Sequence, residues 1–378
     1  MLLVKRVSPC QLCRQAPPRL PTVALIGNSR SYRTTRNISD GGHRGDSFVM
    51  SAIVEESSQD VAETSVDADS GETFKLACPI CQVTEFSLTS APTERGSLEC
   101  PRCSRSFAYN DAYVDLTLTS GVEQKVYKEK TFGGTSTFQN PFVSLVYERG
   151  WRQSFARAGF PGEAKEFEYA MEYLSPVAGE VMMDLSCGSG LFTRRFASSK
   201  AFSGIFAVDY SESMLKQTQR NLQRDNSASS GTPIVGVRAD VARMPFASGS
   251  VAGVHAAAAI HCWGNPTAAM AEISRILKPG GVFVASTFMT YTAPLGEIFG
   301  EDTVRPLTRI VQQNDSTSTI MKAWEEQELR DLANLVGLKD FKCRRTNRFI
   351  MFSATKPEMG EGGGESLTKR MLVLGEGG

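Results

Sequence analysis

From residue 180 onward, short apolar runs alternate with segments whose apolar positions recur at helical spacing. "EVMMDLSCGSG" leads into the helical "LFTRRFASS", and "FSGIFAVDY" into "SESMLKQTQRNLQRD". "IVGVRADVARMPF" supplies a third strand, "SVAGVHAAAA" a fourth and "GGVFVASTF" a fifth. Such strand–helix repeats predict an α/β, doubly wound, mostly parallel sheet with helices on both faces, and ligands then bind outside the carboxyl ends of the strands. Upstream, "NPFVSLVYERGWRQSFARAGF" and "GEAKEFEYAMEYL" predict two helices, the first with Tyr147, Trp151 and Phe155 on one face. That stripe is read as core, with a cap over a pocket as the functional alternative. After the fifth strand a long insertion precedes the helix "EEQELRDLANLVG". Long loops at this mouth serve as lids or acceptor sites. "KDFKCRRTNR", 339–348, holds five basic residues against one acid and is expected to be a solvated hairpin, with a membrane or nucleic-acid contact as the alternative.

The segments before residue 180 differ in composition. The first 39 residues carry Lys5, Arg6, Arg14, Arg19, Arg30, Arg33 and Arg36 and no acid, the composition of an organelle transit peptide, drawn here over 1–46. Residues 47–72 read as an acidic disordered linker, with seven acids and no Lys or Arg from 51 to 72. A small module spans 73–120, a linker with the two N-terminal helices spans 121–179, and the main domain spans 180–355. The Gly-rich tail, 356–378, has no sustained period and is expected to be disordered.

Within 73–120, Cys78, Cys81, Cys100 and Cys103 form two CxxC turns with 18 residues between them. Four thiolates so spaced close tetrahedrally around one structural zinc, and flanking strand-like stretches complete a zinc ribbon. So small a ribbon has almost no core of its own, so the metal is expected to supply its folding energy. Its four basic residues against five acids give no footprint for phosphates. The whole chain carries 41 basic and 41 acidic residues, so charge does not announce a polyanion partner. No apolar run reaches the roughly eighteen residues needed to span a bilayer, so no transmembrane segment is expected.

The candidate ligand loop is "VMMDLSCGSG", where an apolar run ends in an acid and a Gly-rich turn. A dinucleotide loop wants a third glycine, but Gly188, Ser189 and Gly190 are followed by Leu191, Phe192 and Thr193. The Gly-Lys-Ser/Thr ending of the NTPase loop is absent as well. What the chain does have is Asp184 four residues before Gly188, and Asp209 ending the next strand, 19 residues after Gly190. A carboxylate at that place accepts both ribose hydroxyls, and the free N–H groups opening the helix suit a carboxylate. The ligand therefore has a ribose and an anionic end.

"MDLSCGSG", "AVDYSESML", "RADVARMPFASGSV", "AIHCW" and "EISRILKPGGVFVAST", in this order and spacing, resemble the class I S-adenosylmethionine-dependent methyltransferases, especially the ubiquinone and menaquinone branch. The resemblance covers about 180–355. It implies a seven-stranded Rossmann-like sheet and S-adenosylmethionine as cofactor. By position it gives Asp184, Gly188 and Gly190 to the methionine moiety, Asp209 to the ribose, and Asp240 with Val241 to the adenine edge. Two residues depart from the pattern. Ser186 stands where the family has the first loop glycine, and Ala252 where the fourth strand often has an acid.

With the ribbon and "LVYERGWRQSFARAGFPG" included, the chain is similar to plant plastid methyltransferases described as plastoglobule-associated. That likeness implies the chloroplast and peripheral association with plastid lipid bodies or membranes, while neutral charge and the quinone branch favour a small, lipophilic, quinone-like acceptor. Composition alone leaves the mitochondrion as the alternative compartment. Ribbon plus methyltransferase also resembles bacterial guanine-methylating rRNA enzymes, so RNA stays as the less favoured partner. A non-catalytic cofactor-binding scaffold is the third reading, supported by Ser186 and Ala252.

Methyl transfer is a displacement at an already activated carbon, so the protein chiefly aligns and desolvates. A base helps only where the acceptor must lose a proton. His261, just past the fourth strand, is the candidate, against the alternative of a packed histidine at the pocket lip. His255 is expected in the core, and Cys187, Cys262 and Cys343 as small apolar residues.

Overall fold

Val181–Leu185 is buried at every position, as befits a strand covered on both faces by helices. In the computed structural model this strand sits near the middle of one sheet. The structure describes residues 75–88, 95–121, 155–156, 158–225, 231–313 and 322–358. The transit-peptide and acidic-linker segments, the helical stretch around Tyr147 and Trp151, and the tail from residue 359 lie outside the described residues.

Among the described residues the strands are β1 (Ser87–Leu88), β2 (Arg95–Glu99), β3 (Ser106–Asn110), β4 (Val114–Asp115), β5 (Val181–Leu185), β6 (Gly204–Asp209), β7 (Ile234–Arg238), β8 (Val251–Ala256), β9 (Leu277–Phe288), β10 (Lys339–Thr346) and β11 (Phe349–Thr355). The helices are α1 (Glu163–Leu174), α2 (Leu191–Ser199), α3 (Glu212–Arg224), α4 (Pro266–Ile276), α5 (Ala293–Phe299), α6 (Glu301–Gln313) and α7 (Glu326–Leu335). The strands hydrogen-bond in the order β1-β2-β3-β4-β7-β6-β5-β8-β9-β11-β10. From β7 to β9 every pairing is parallel, and β11 and β10 close the sheet antiparallel. Seven strands from β7 to β10 thus form the doubly wound, Rossmann-like sheet expected from the strand–helix alternation. Its order reverses between β5 and β8, which opens a crevice at their carboxyl ends.

The helices start where local chemistry supplies acceptors for their free N–H groups. Ser211 caps α3 by accepting from the Met214 N–H, and Asn265 caps α4 with Pro266 in its first turn. Glu325 and Glu328 form a reciprocal capping box on α7. Helix α2 begins instead at Gly190, in the left-handed region at φ 80°.

The small module does not stand apart. Strand β4 adds in parallel to β7, pairing Val114 with Val237 and Asp115 with Arg238, so its four strands extend the main sheet. Leu76, Leu98, Phe107, Tyr109, Val114 and Leu116 belong to the same apolar core as Phe206, Val237 and Phe246. The expectation that the module has almost no core is corrected here: it borrows the core of the main sheet. Gly236 in β7 makes this union feasible, because a Cβ there would lie 2.2 Å from the Ala112 carbonyl oxygen. Asp115 and Arg238 form an ion pair at 2.9 Å across the same seam.

The long insertion after β9 folds as α5 and α6. The basic hairpin is the β10–β11 edge, where Arg344 pairs with Glu172, and Arg345 with Glu301 and Glu326. Arg348 donates to the Met289 carbonyl and lies over the Tyr291 ring. Much of its charge is therefore spent within the protein.

Candidate cofactor site and cysteine cluster

The loop after β5 is built on left-handed backbone at Ser186 (φ 56°), Gly188 (φ 58°) and Gly190 (φ 80°). Serine at the first of these adopts the conformation usually left to glycine, and its Oγ accepts from the Trp263 indole N–H at 3.1 Å. A Cβ on Gly190 would meet Thr218 Cγ2 at 2.6 Å, so the loop is a cradle that only glycine leaves open there. Helix α3 holds the loop from below. Thr218 donates to the Gly188 carbonyl (2.8 Å) and Asn221 to the Ser189 carbonyl (3.0 Å). Thr218 and Asn221 were not among the residues the sequence singled out, although their seven- and ten-residue spacing from Ser211 sets them on the side of α3 that packs inward.

Asp184 and Asp209, expected as ligand residues, occupy different environments. Asp184 is buried under the loop, accepting from Thr193 Oγ1 at 2.6 Å on one oxygen and facing His255 Nδ1 at 3.0 Å with the other. It fixes the start of α2 and the middle of β8, and both of its oxygens are engaged inside the protein. Asp209 ends β6 at the mouth, where its oxygens accept from the N–H groups of Gly188 (2.9 Å) and Ser211 (2.7 Å). Burial pushes its carboxyl up to about 6, aided by the charge of Asp184 and opposed by the N–H donors of Ser211, Gly188 and Tyr210. Against these N–H donors the carboxylate retains acceptor capacity for a ribose hydroxyl.

Asp240 follows β7 and accepts from the Ala242 N–H at 2.9 Å in a tight turn closed by Arg243, whose N–H bonds the Asp240 carbonyl. Val241 in that turn packs partly buried against the core. Asp240, Arg243 and Tyr210 line a shallow open cleft whose other wall is Pro79 and residues 116–118. The structure thus brings Gly188, Gly190 and Asp209 together, with Asp240 one strand further out.

His261 lies on a short 3-10 turn, Ile260–Cys262, and is buried. Its Nδ1 faces Thr287 Oγ1 at 3.2 Å and its ring meets Phe288 edge-on at 4.9 Å. Burial pushes its pKa down to about 4. An imidazole so shifted holds an abstracted proton poorly, which favours the packed-histidine alternative over the base. His255 is fully buried against Phe192 and Phe196, as expected of core. Ala252 is buried within the apolar cluster under α1 and α2. Glu166 of α1, which the sequence did not single out, is buried and accepts from Ser286 Oγ at 3.5 Å.

The four cysteine sulfurs lie within 4.8 Å of one another, with Cys78–Cys103 at 3.7 Å and Cys81–Cys100 at 3.4 Å. The two turns are built alike. Cys78 N–H bonds the Val83 carbonyl and Cys100 N–H that of Arg105, while Gln82 and Ser104, both left-handed, close back onto Cys78 and Cys100. Ligand bonds of about 2.3 Å at tetrahedral angles put sulfurs just under 4 Å apart, so this donor set fits zinc.

A glycine cradle at the switch point, with an acid ending the next strand, stands where doubly wound sheets bind their ligands. Residues 183–285 match the family model described as a methyltransferase domain. An uncharacterized chloroplastic methyltransferase of Arabidopsis thaliana is 42% identical over 294 residues, covering 76% of this chain and 79% of the relative. A second Arabidopsis protein of the same description is 43% identical over 297 residues, covering 77% and 81%. A demethylmenaquinone methyltransferase of Clavibacter sepedonicus is 28% identical over 223 residues, covering 57% and 81%. The chain belongs to the class I S-adenosylmethionine-dependent methyltransferases.

Proposed function

We propose that this methyltransferase acts in the chloroplast on a small, lipophilic, quinone-like acceptor, which it meets at the surface of a plastid lipid body. The observation that carries the reading is the lid. Tyr291, Leu295, Ile298, Phe299, Leu307 and Ile310, on and just before α5 and α6, are six of the nine large apolar side chains exposed among the described residues. Apolar exposure concentrated in this way marks an interaction site, and here it adjoins the end of β9. Met289, Thr290, Ala293, Val304 and Thr308 line a small open crevice at the same two helices. The chloroplastic naming of the Arabidopsis relatives and the menaquinone naming of the bacterial one support compartment and acceptor class. No helix among the described residues is long and apolar enough to cross a membrane.

S-adenosylmethionine supplies an activated methyl group on a sulfonium. The chain's part is to hold and to exclude water. Asp209 takes the ribose hydroxyls, the amides from Gly188 to Leu191 take the carboxylate end, and Asp240 with Val241 takes the adenine edge. Asp184 acts beneath, keeping loop and helix in register through Thr193. Ser186 is no sign of a dead loop, since its backbone reaches the left-handed conformation and its hydroxyl adds a bond to Trp263. The cysteine ribbon carries one structural zinc.

Metabolite profiling of a loss-of-function plant, with methyl incorporation from labelled cofactor into plastid lipid extracts and into rRNA from the same plant, tests the reading. Transfer into the organic extract is expected. Transfer into mutant rRNA, absent with wild-type rRNA, overturns it in favour of an RNA substrate.

A further inference from the structure

The cleft bounded by Tyr210, Asp240 and Arg243 lies at the carboxyl ends of β6 and β7, where ligands of doubly wound sheets bind. Its outer wall comes from the cysteine ribbon: Pro79 from the first CxxC turn, and Leu116, Thr117 and Leu118 from the segment leaving β4. We propose that this cleft is the adenine subsite and that the ribbon closes it, so that the ribbon is part of the cofactor-binding machinery. The proposal rests on the S-adenosylmethionine reading above and assigns a role to residues outside the methyltransferase domain.

Three observations carry it. The lining has the chemistry of a purine site, with the Tyr210 ring, the apolar Leu116 and Leu118, and the Asp240 carboxylate, an acceptor for an exocyclic amine. Leu118 is 46% exposed although its neighbours Leu116 and Thr117 are buried, an apolar side chain turned toward a cleft that a flat apolar ring would cover. The walls are also tied to the cysteine turns on both sides. Arg243 donates to the Pro79 carbonyl at 2.6 Å, inside the first CxxC turn. Arg105, two residues past Cys103, donates to the carbonyls of Leu118 (3.2 Å) and Ser120 (2.8 Å). The wall on the main sheet is braced in turn, because Arg238 donates to the Tyr210 carbonyl at 3.1 Å and to Asp115 at 2.9 Å. Wall and floor therefore move with the ribbon.

The test uses the full mature chain and S-adenosylhomocysteine, the demethylated product, measured by calorimetry, beside photolabelling with an 8-azidoadenine analogue of the cofactor. The label is expected on the peptide containing residues 116–118. Leu118→Glu is expected to weaken binding by about ten-fold, the effect of withdrawing one apolar contact and setting a charge beside the ring. Leu335→Glu, at an exposed apolar position on α7, serves as the control and is expected to bind as wild type does. Thermal unfolding of each variant separates loss of the wall from loss of the fold, and Leu118→Met, which keeps an apolar contact, is expected to restore affinity. Labelling confined to residues 209–241, with wild-type affinity in Leu118→Glu, overturns the proposal while leaving the cofactor reading standing. No binding by the wild-type chain overturns both.

Discussion

Adding one methyl group to the loop tests how the cradle works. In Gly190→Ala the new Cβ faces two independent penalties. The backbone there sits at φ 80°, left-handed, which costs a residue with a side chain roughly 1–2 kcal/mol. The Cβ would also come within 2.6 Å of Thr218 Cγ2, and forcing a buried contact of that kind costs about 1–3 kcal/mol. Thr218 cannot yield freely, because its hydroxyl donates to the Gly188 carbonyl at 2.8 Å. A total loss of about 2–5 kcal/mol is expected in urea unfolding, together with a large loss of affinity for S-adenosylhomocysteine. Thr218→Ser separates the two penalties, because it deletes the clashing methyl and keeps the hydroxyl. Alone it should cost about 1 kcal/mol for a buried methyl. In the Gly190→Ala background it should cost nothing or restore stability, a coupling of about 1–2 kcal/mol in the double-mutant cycle. Penalties that simply add, within about 0.3–0.5 kcal/mol, would refute the steric account and leave backbone strain alone responsible.

Asp209→Asn should abolish tight S-adenosylhomocysteine binding and reveal a pH dependence. The wild-type carboxyl titrates at about 6 when folded and near about 3.9 when unfolded. Its folded state therefore binds the proton more tightly, and stability relative to the Asn variant should be highest below about pH 4 and decline as pH rises to about 6. A difference in melting temperature that stays flat across that window would count against the burial of Asp209. His261 works in the opposite direction: folded at about 4 and unfolded near about 6.5, it contributes stability above the latter that is lost as pH falls. His261→Gln should flatten that slope while leaving methyl transfer within a few-fold, and a collapse of kcat with KM unchanged would return it to the role of base. One zinc per chain is expected by elemental analysis. Because the cysteine turns share the main core, Cys100→Ser should lower the melting temperature of the whole unit, and a change confined to the ribbon would argue that it folds apart. Gly236→Ala, whose Cβ would strike the Ala112 carbonyl, should speed hydrogen exchange at the Leu116 amide, which bonds the Arg238 carbonyl at 3.0 Å.

Much of the main sheet was legible because its strands are buried on both faces and punctuated by loops. "LFTRRFASS" is α2 and "GEAKEFEYAMEYL" is α1 to within a residue at either end. The motif residues Gly188, Gly190 and Asp209 do converge, because strand ends and loop glycines are fixed locally. What could not be read lies in tertiary proximity. Nothing in "TQRNLQRD" marks Thr218 and Asn221 as supports of a loop some thirty residues upstream, since both are ordinary polar residues in an amphipathic helix. For His261 the sequence left base and packed histidine both open, because its surroundings come from Phe288 and Thr287, residues of a different strand. The union of β4 with β7 was hidden for a further reason. A two-residue strand, Val114–Asp115, is too short to show a period, and a glycine such as Gly236 within a strand reads as a weakness until the backbone passing beside it is known.

That union also explains why a ribbon should border a cofactor cleft at all. The outermost parallel strand of a doubly wound sheet would present unpaired N–H and C=O groups, an invitation to pair with another chain. The two edges here are managed differently. At one end β10 is nowhere fully buried and carries Lys339, Lys342, Arg344 and Arg345, with Arg344 and Arg345 held by ion pairs, so charge discourages a further strand. At the other end β7 is pure apolar strand, Ile234 to Val237 buried throughout, and charge cannot be placed on it without disrupting the core. A covering strand is the remaining solution, and β4 supplies it. Because β4 runs parallel to β7, its chain leaves the sheet at the same carboxyl end where Asp209 and Asp240 stand. The residues that follow, 116–118, therefore arrive beside the cofactor cleft as a consequence of protecting the edge. An antiparallel cover would have sent them to the opposite end of the sheet, away from the chemistry.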